Sequence, residues 1–342
     1  MRAWTFRTRG PPSVVLKLET DLSKPSSPTR SNLLIKVSHS ALTPGISHAI
    51  KVFPSLPLLS RPYIPELDFS GIIELAGPDA PAEFTPGTRA FGSVPISTFL
   101  LHGTGTLAEY VMLPAIHVLQ MPQTTAFGFA EAASLDGNGQ TAALMVRTAG
   151  IKKGSRVFVN GGSGGVGTLA LQIAKAEGAY VVATGAGENF DLVKKLGADE
   201  VIDYRVHAPL HTYLSEKYGS EPFDVILDTI GTDELFQNSP GFLKADGKFV
   251  NVGAMEGIVK GLWCAAKNSL WPRLLGGTPR TYIFQQTNPD QKTRQYLAKL
   301  IEEDKLIVAV DKVYEMEDAL QAYERMASQR AKGKVVVKVQ NI

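Results

Sequence analysis

The chain has 342 residues, 35 of them basic and 33 acidic, for a net charge of +2 at neutral pH. That exceeds the usual reach of one hydrophobic core, so two domains are expected, and the balanced charge argues against a nucleic acid partner. The single cysteine, Cys264, excludes an internal disulfide and fits a reducing compartment, and no apolar stretch nears the length of about eighteen residues needed to span a membrane. Residues 1–6 read as an entering strand with no targeting segment, which places the chain in the cytoplasm by default. Residues 21–30, rich in proline and serine, read as a surface loop. Short β-like runs follow at 33–37, 69–75, 89–91 and 108–112, broken by Gly and Pro, as in an irregular β-rich domain.

The character changes near residue 122. A helix is expected over 130–148, stopped by Gly150, and the strand 156–160 follows the turn Lys153-Gly154. Helix 168–177, strand 180–184, helix 190–196 and strand 200–204 then alternate, and strands 224–228 and 248–252 continue the series. Such alternation implies a parallel sheet with helices on both faces. Strand 281–286, helix 294–303, strand 308–310, helix 316–327 and strand 334–339 complete the chain. The closing strand is expected to return to the β-rich region, so that residues 123–283 form an insertion between 1–122 and 284–342.

The strongest local signal is the run Asn160-Gly161-Gly162-Ser163-Gly164-Gly165-Val166-Gly167, which holds G-x-G-x-x-G after an apolar strand and before an amphipathic helix. One glycine turns the chain, the next lets a pyrophosphate reach the backbone, and the third lets helix and strand pack closely. The anion then meets the free N–H groups and dipole of the helix N-terminus. An NAD site commonly places an acid roughly twenty residues on, at the end of the next strand. Here Thr184-Gly185-Ala186-Gly187 stands there, with no acid before Glu188. Small residues leave room for the 2′-phosphate of NADPH, which a carboxylate would repel.

These residues, with Pro65-Glu66-Leu67-Asp68-Phe69-Ser70-Gly71, the turn and strand over 84–91, the run 105–111, the run 196–204 and Gly333-Lys334-Val335-Val336, resemble the quinone-oxidoreductase-like branch of the medium-chain dehydrogenases/reductases. That branch includes trans-acting enoyl reductases of fungal polyketide pathways. The resemblance implies an α/β fold: a Rossmann doubly wound parallel sheet inserted in a GroES-like β-rich catalytic domain, with the active site in the cleft between them. It also implies roles. Tyr204 and Asn189 fall on the phosphate side of the cofactor, Thr229, Val252 and Gly253 lie in loops passing the nicotinamide end, and Lys334 belongs to the cofactor set. Asp136 and Gln140 fall on a helix facing the cleft as substrate-site candidates, although helix-end polarity explains them better. Tyr204 also reads as a strand-end packing residue.

Zinc-dependent relatives hold the metal through cysteine and histidine. Leu67 stands where the histidine is needed, Thr43 in the region of the first cysteine and Asn138 near the second, so no metal is expected. Many relatives carry Asn-Pro-x-Asp where this chain has Thr43-Pro44-Gly45-Ile46; threonine replaces one of the asparagine's hydrogen bonds, not two. The Val-Tyr-Pro step of mitochondrial enoyl thioester reductases reads Val52-Phe53-Pro54 here, without the hydroxyl. Tyr63 is the nearest sequence candidate for a proton donor; a packing role or protonation by water competes with it. The apolar and basic segment 258–280, with Trp263 and Trp271, reads either as a lining of the substrate cleft or as a weak membrane-surface contact. Strand 281–286 is expected to pair across a two-fold axis into a homodimer. The leading function is an NADPH-dependent reductase of a small or carrier-bound enone, quinone or α,β-unsaturated thioester. A dinucleotide-binding regulatory or membrane-surface protein without turnover, and a non-redox cyclising enzyme on the same scaffold, are the alternatives.

Overall fold

The computed structural model describes residues 1–52, 61–125, 127–253, 257–272, 275–286 and 288–342. Phe53, Ala254 and Arg273 lie outside them. Strands β1 (Ala3–Thr5) and β2 (Lys17–Glu19), joined through helix α1 (Pro12–Val15), pair antiparallel. Then come β3 (Asn32–Ala41), α2 (Pro44–Val52), β4 (Asp68–Ala76), β5 (Arg89–Ser93), α3 (Ile96–His102), β6 (Tyr110–Pro114), β7 (Val118–Gln120) and the long helix α4 (Phe129–Ala149). The alternating part runs β8 (Arg156–Asn160), α5 (Gly165–Ala176), β9 (Tyr180–Gly185), α6 (Phe190–Lys195), β10 (Glu200–Asp203), α7 (Leu210–Tyr218), β11 (Phe223–Asp228), α8 (Asp233–Gln237), β12 (Leu243–Asn251), α9 (Ile258–Leu270) and β13 (Thr281–Phe284). Helix α10 (Gln291–Glu302), β14 (Val310–Glu315), α11 (Ala319–Ala327) and β15 (Lys334–Lys338) finish the chain.

The chain divides into two compact units: residues 1–140 with 289–304 and 308–342, and residues 141–288 with 305–307. The division falls inside α4, later than the change of sequence character near 122. The first half of that helix is fastened to the β-rich unit: Ser70 Oγ donates to the Phe129 carbonyl (2.5 Å) and Gly137 N–H to Asp68 Oδ1 (3.1 Å).

The second unit is a six-stranded parallel sheet in the order β10-β9-β8-β11-β12-β13. Strands buried on both faces need continuous apolar runs, and Val157, Phe158 and Val159 of β8 are fully buried. The chain builds outward from β8 to β10, then returns to build from β11 to β13. The C-terminal ends of β8 and β11 therefore flank the point where the order reverses, which is where ligands bind such sheets.

The first unit holds a seven-stranded sheet, largely antiparallel, in which β15 pairs with β3 so that Val336 faces Ala41. The end of the chain thus returns to its β-rich beginning. Its core gathers Trp4, Phe6, Phe69, Phe99, Tyr323 and Val337. Helices α2, α3 and α7 have no counterpart in the sequence reading. Pro44 opens α2, where its fixed φ suits a first helical turn, and Gly103 closes α3 at φ 66°. The strand expected at 308–310 runs instead over Val310–Glu315, because its pairing with β15 overrides a weak pattern of alternation. No helix among the described residues is long and apolar enough to cross a membrane.

Candidate active site

The chain leaves β8 at Asn160 and enters α5 at Gly165. Gly161, at φ +85°, makes the turn, and its N–H donates to Thr184 Oγ1 (2.8 Å) while Gly162 N–H donates to the Thr184 carbonyl (2.9 Å). A Cβ on Gly167 would stand 2.0 Å from the Gly161 carbonyl oxygen, so only glycine lets the helix approach this closely. At Gly164 a Cβ would meet only that same oxygen, at 3.4 Å. This is the open side of the turn, where a ligand can reach backbone amides at a helix N-terminus.

Beneath the turn the strand ends are tied together. Thr184 Oγ1 donates to Asn160 Oδ1 (3.0 Å), Asn160 Nδ2 to Asp228 Oδ1 (2.9 Å), and Thr229 Oγ1 to the Asn160 carbonyl (2.8 Å). Asp228 is fully buried; burial raises its pKa, opposed by the N–H groups of Gly231 and Ile230. Beside the turn, buried Asn189 donates to Ser163 Oγ (3.2 Å), and its Oδ1 has no hydrogen-bond partner. At the end of β10, exposed Tyr204 lies next to Arg205, whose Nη1 meets both oxygens of Glu188 at 3.0 and 3.1 Å. An amide shelf and a cation near the end of β9 form a donor set that fits a dinucleotide phosphate, and Asn189 Oδ1 beside them is an acceptor for a hydroxyl.

The first unit holds a second cluster. Glu66 is fully buried at φ +67°; its Oε2 accepts from Thr43 N–H (2.8 Å) and its Oε1 from the Tyr323 hydroxyl (2.5 Å). Lys334 Nζ donates to the Leu42 carbonyl (2.8 Å) and to Thr43 Oγ1 (3.2 Å), and stands 3.7 Å from Asp68 Oδ2. Burial pushes Glu66 up to about 8 and Asp68 to about 6, with Lys334 pulling both down. Deeper in the same unit, Arg294 and Asp136, both wholly buried, form a two-pronged pair at 2.9 and 2.8 Å. Ser93 Oγ and Gln140 Nε2 donate to the same carboxylate.

Comparison with known proteins places these features. The family described as "Zinc-binding dehydrogenase" matches residues 196–337. The medium chain reductase PydE of Acremonium sp is 38% identical, with 99% of each chain covered. The trans-enoyl reductase PoxH of Penicillium oxalicum is 33% identical, over 99% of this chain and 98% of that protein. The solved quinone oxidoreductase of Coxiella burnetii superposes with a TM-score of 0.81 at 27% identity, covering 99% of both chains. The chain belongs to the medium-chain dehydrogenase/reductase superfamily. Its two units carry that superfamily's fold, a Rossmann-type parallel sheet and a GroES-like antiparallel β-rich unit.

Within this superfamily frame the expected residues separate. Gly162, Ser163, Gly164, Gly165, Val166, Gly167 and Asn189 gather at the turn; Thr184 lies under it as a brace, 1% exposed. Val252 N–H donates to the Asp228 carbonyl, and a Cβ on Gly253 would meet the Ile230 backbone at 2.2 Å, so both line the knitted strand ends with Thr229. Thr43 and Lys334 meet each other in the first unit. Tyr63 packs between Phe6 and Phe99, with its hydroxyl donating to the Leu100 carbonyl (3.1 Å). Asp136 faces Arg294. No group of three or more His, Cys, Asp or Glu side chains among the described residues is placed to hold a metal ion. In α9 and the residues after it, Trp263, Leu270 and Trp271 are exposed, while Lys267 is engaged with Asp233 (2.6 Å). The sequence reading missed Glu66, Tyr323, Arg294 and Arg205. Only Arg205 had a readable signal, a cation directly after Tyr204 at a strand end.

Proposed function

We propose that the chain is an NADPH-dependent, zinc-independent reductase of an activated C=C bond or quinone: an enone, a quinone or an α,β-unsaturated thioester, free or carrier-bound. The observation that carries this reading is the end of β9. Residues 184–187 carry no acid; Glu188, the first acid beyond, is engaged by Arg205, and Asp203 of β10, whose carboxylate lies against Gly187, accepts from the Arg205 N–H. Arg205 thereby offsets the charge that would repel a 2′-phosphate, with Tyr204 beside it. The amides at the start of α5, Gly165–Gly167, take the pyrophosphate, and Asn189 Oδ1 finds its missing donor in a ribose hydroxyl. Thr229, Val252 and Gly253 shape the nicotinamide side.

When bound, NADPH supplies the hydride that reaches the β-carbon of the acceptor. Thr43 Oγ1 accepts from Lys334, so its own hydrogen is available to the substrate carbonyl, where it stabilises charge developing on oxygen. The α-carbon takes its proton from water. In this reading Tyr63 packs, Asp136 fastens α4, and zinc is not needed because an activated alkene requires no Lewis acid on a C–O bond. NADPH oxidation against a panel of enones, quinones and acyl thioesters tests it, in the presence and absence of a chelator. Turnover that survives chelation and is faster with NADPH than NADH is expected; no turnover with any acceptor sinks the proposal.

A further inference from the structure

Glu66 carries two costs. It holds a left-handed φ of +67°, a conformation in which a Cβ is strained, and its carboxyl is wholly buried. Non-glycine residues persist in such conformations where the surroundings over-determine them, commonly at functional sites. Both oxygens of Glu66 are committed, one to the Thr43 amide and one to the Tyr323 hydroxyl on α11. Lys334, from β15, grips the other side of Thr43 through its Oγ1 and the preceding Leu42 carbonyl. The Thr43 carbonyl meanwhile accepts from Ile46 and Ser47 in the first turn of α2. Amide, carbonyl and hydroxyl of one half-buried threonine are thus all fixed.

We infer that Glu66 is a positioning residue that, opposite Lys334, locks Thr43 so that its hydroxyl hydrogen points at the reacting substrate. A plain turn could be made by glycine at position 66; the carboxyl is kept because an acceptor must reach the Thr43 N–H from within the core. A hydroxyl that accepts from a cation becomes a stronger donor, since the bonds polarise one another. The inference rests on the proposed role of Thr43, so its test needs one readout that does not depend on turnover.

That readout is hydrogen exchange at the Thr43 amide, measured with kcat and NADPH affinity in Glu66→Gly and Glu66→Gln. Glycine suits the left-handed backbone but removes the acceptor. Exchange at Thr43 should quicken by at least tenfold and kcat fall by at least tenfold, while NADPH affinity, set in the other unit, stays within about twofold. Glu66→Gln retains an amide oxygen for the Thr43 N–H and a donor towards Tyr323, and should restore both properties to within about threefold. Should Glu66→Gly not fold, Glu66→Asp, one methylene shorter, withdraws the acceptor and gives the same readouts. Unchanged exchange, or faster exchange with unchanged kcat, overturns the inference. So does Glu66→Gln failing as badly as Glu66→Gly, which would make the role one of charge. If the wild-type protein turns over no acceptor, the reductase reading falls, and the exchange data alone decide whether Glu66 holds Thr43.

Discussion

In the glycine turn, the groups offered to a ligand are backbone amides supplied by consecutive residues at the start of α5, 165–167. In the carboxylate cluster they are side chains brought from positions as far apart as Thr43 and Lys334. The first arrangement tolerates almost any change that keeps glycines where a Cβ would collide, as at Gly167. The second depends on each partner, because every buried carboxylate there is neutralised or satisfied by a residue from another element. Backbone sites are written locally and side-chain sites globally, and the two should break in different ways.

The sharpest way to expose that difference is Asp136→Ala. It leaves the Arg294 guanidinium, 0% exposed, without its carboxylate. Removing one partner of a buried pair typically costs about 3–5 kcal/mol, so chemical denaturation should show the β-rich unit unfolding much earlier. A loss below about 1 kcal/mol would mean that Arg294 finds water on its own, and that the unit does not depend on this pair.

The pH response separates the units next. Glu66 is raised from 4.5 to about 8 and Asp68 from 3.8 to about 6, chiefly by burial. Between the ordinary and the raised values the folded form holds a proton that the unfolded form releases. The stabilisation is complete below the ordinary values and is lost as pH rises through the raised ones, by at most about 1.4 kcal/mol per pH unit for each group. Unfolding midpoints of the first unit should therefore decline from about pH 4 to about pH 8, most steeply below pH 6 where both groups contribute, and Glu66→Gln should flatten the part above pH 6. An unchanged slope in that variant would show that Glu66 is already ionised at neutral pH.

Much of the second unit was legible because its pattern is short-range. Strand β8 has the bounds read from sequence, 156–160, and the turn follows from glycine spacing alone. In the first unit, Glu66 and Tyr323 are separated by 257 positions, and no local period announces their contact. Tyr63 stood out as the hydroxyl nearest Pro65 and Asp136 as a polar residue on a helix facing a supposed cleft; their burial against Phe99 and Arg294 is a tertiary fact. Helices α2 and α3 were missed because Pro44 and Gly103 read as loop punctuation when they are helix ends.

A smaller effect is expected at the rim of the turn. Arg205 is half exposed and pairs with Glu188, so water screens much of its charge. Arg205→Ala should weaken NADPH by roughly tenfold and leave NADH within about twofold. Equal losses would show that Arg205 supports the loop and does not meet the 2′-phosphate.

The smallest effect concerns the proton. Reduction of an enone leaves an enolate that needs a proton at its α-carbon, and a positioned acid contributes about 10²–10⁴-fold. Tyr63 is the hydroxyl nearest in sequence to Pro65, but it is 8% exposed, packs on Phe6 and Phe99, and donates to the Leu100 carbonyl at 3.1 Å. A hydroxyl engaged inside an aromatic core has no route to a substrate. Tyr63→Phe should then lose about 1 kcal/mol of stability, the net worth of one hydrogen bond, while kcat changes by less than about twofold. Deuterium delivered from D₂O to the α-carbon should show little facial preference, as expected when water protonates a planar enolate from both sides. A tenfold drop in kcat with NADPH affinity intact would instead make Tyr63 the acid. It would also mean that the loop carrying it opens during turnover, and that the first unit contributes chemistry as well as positioning.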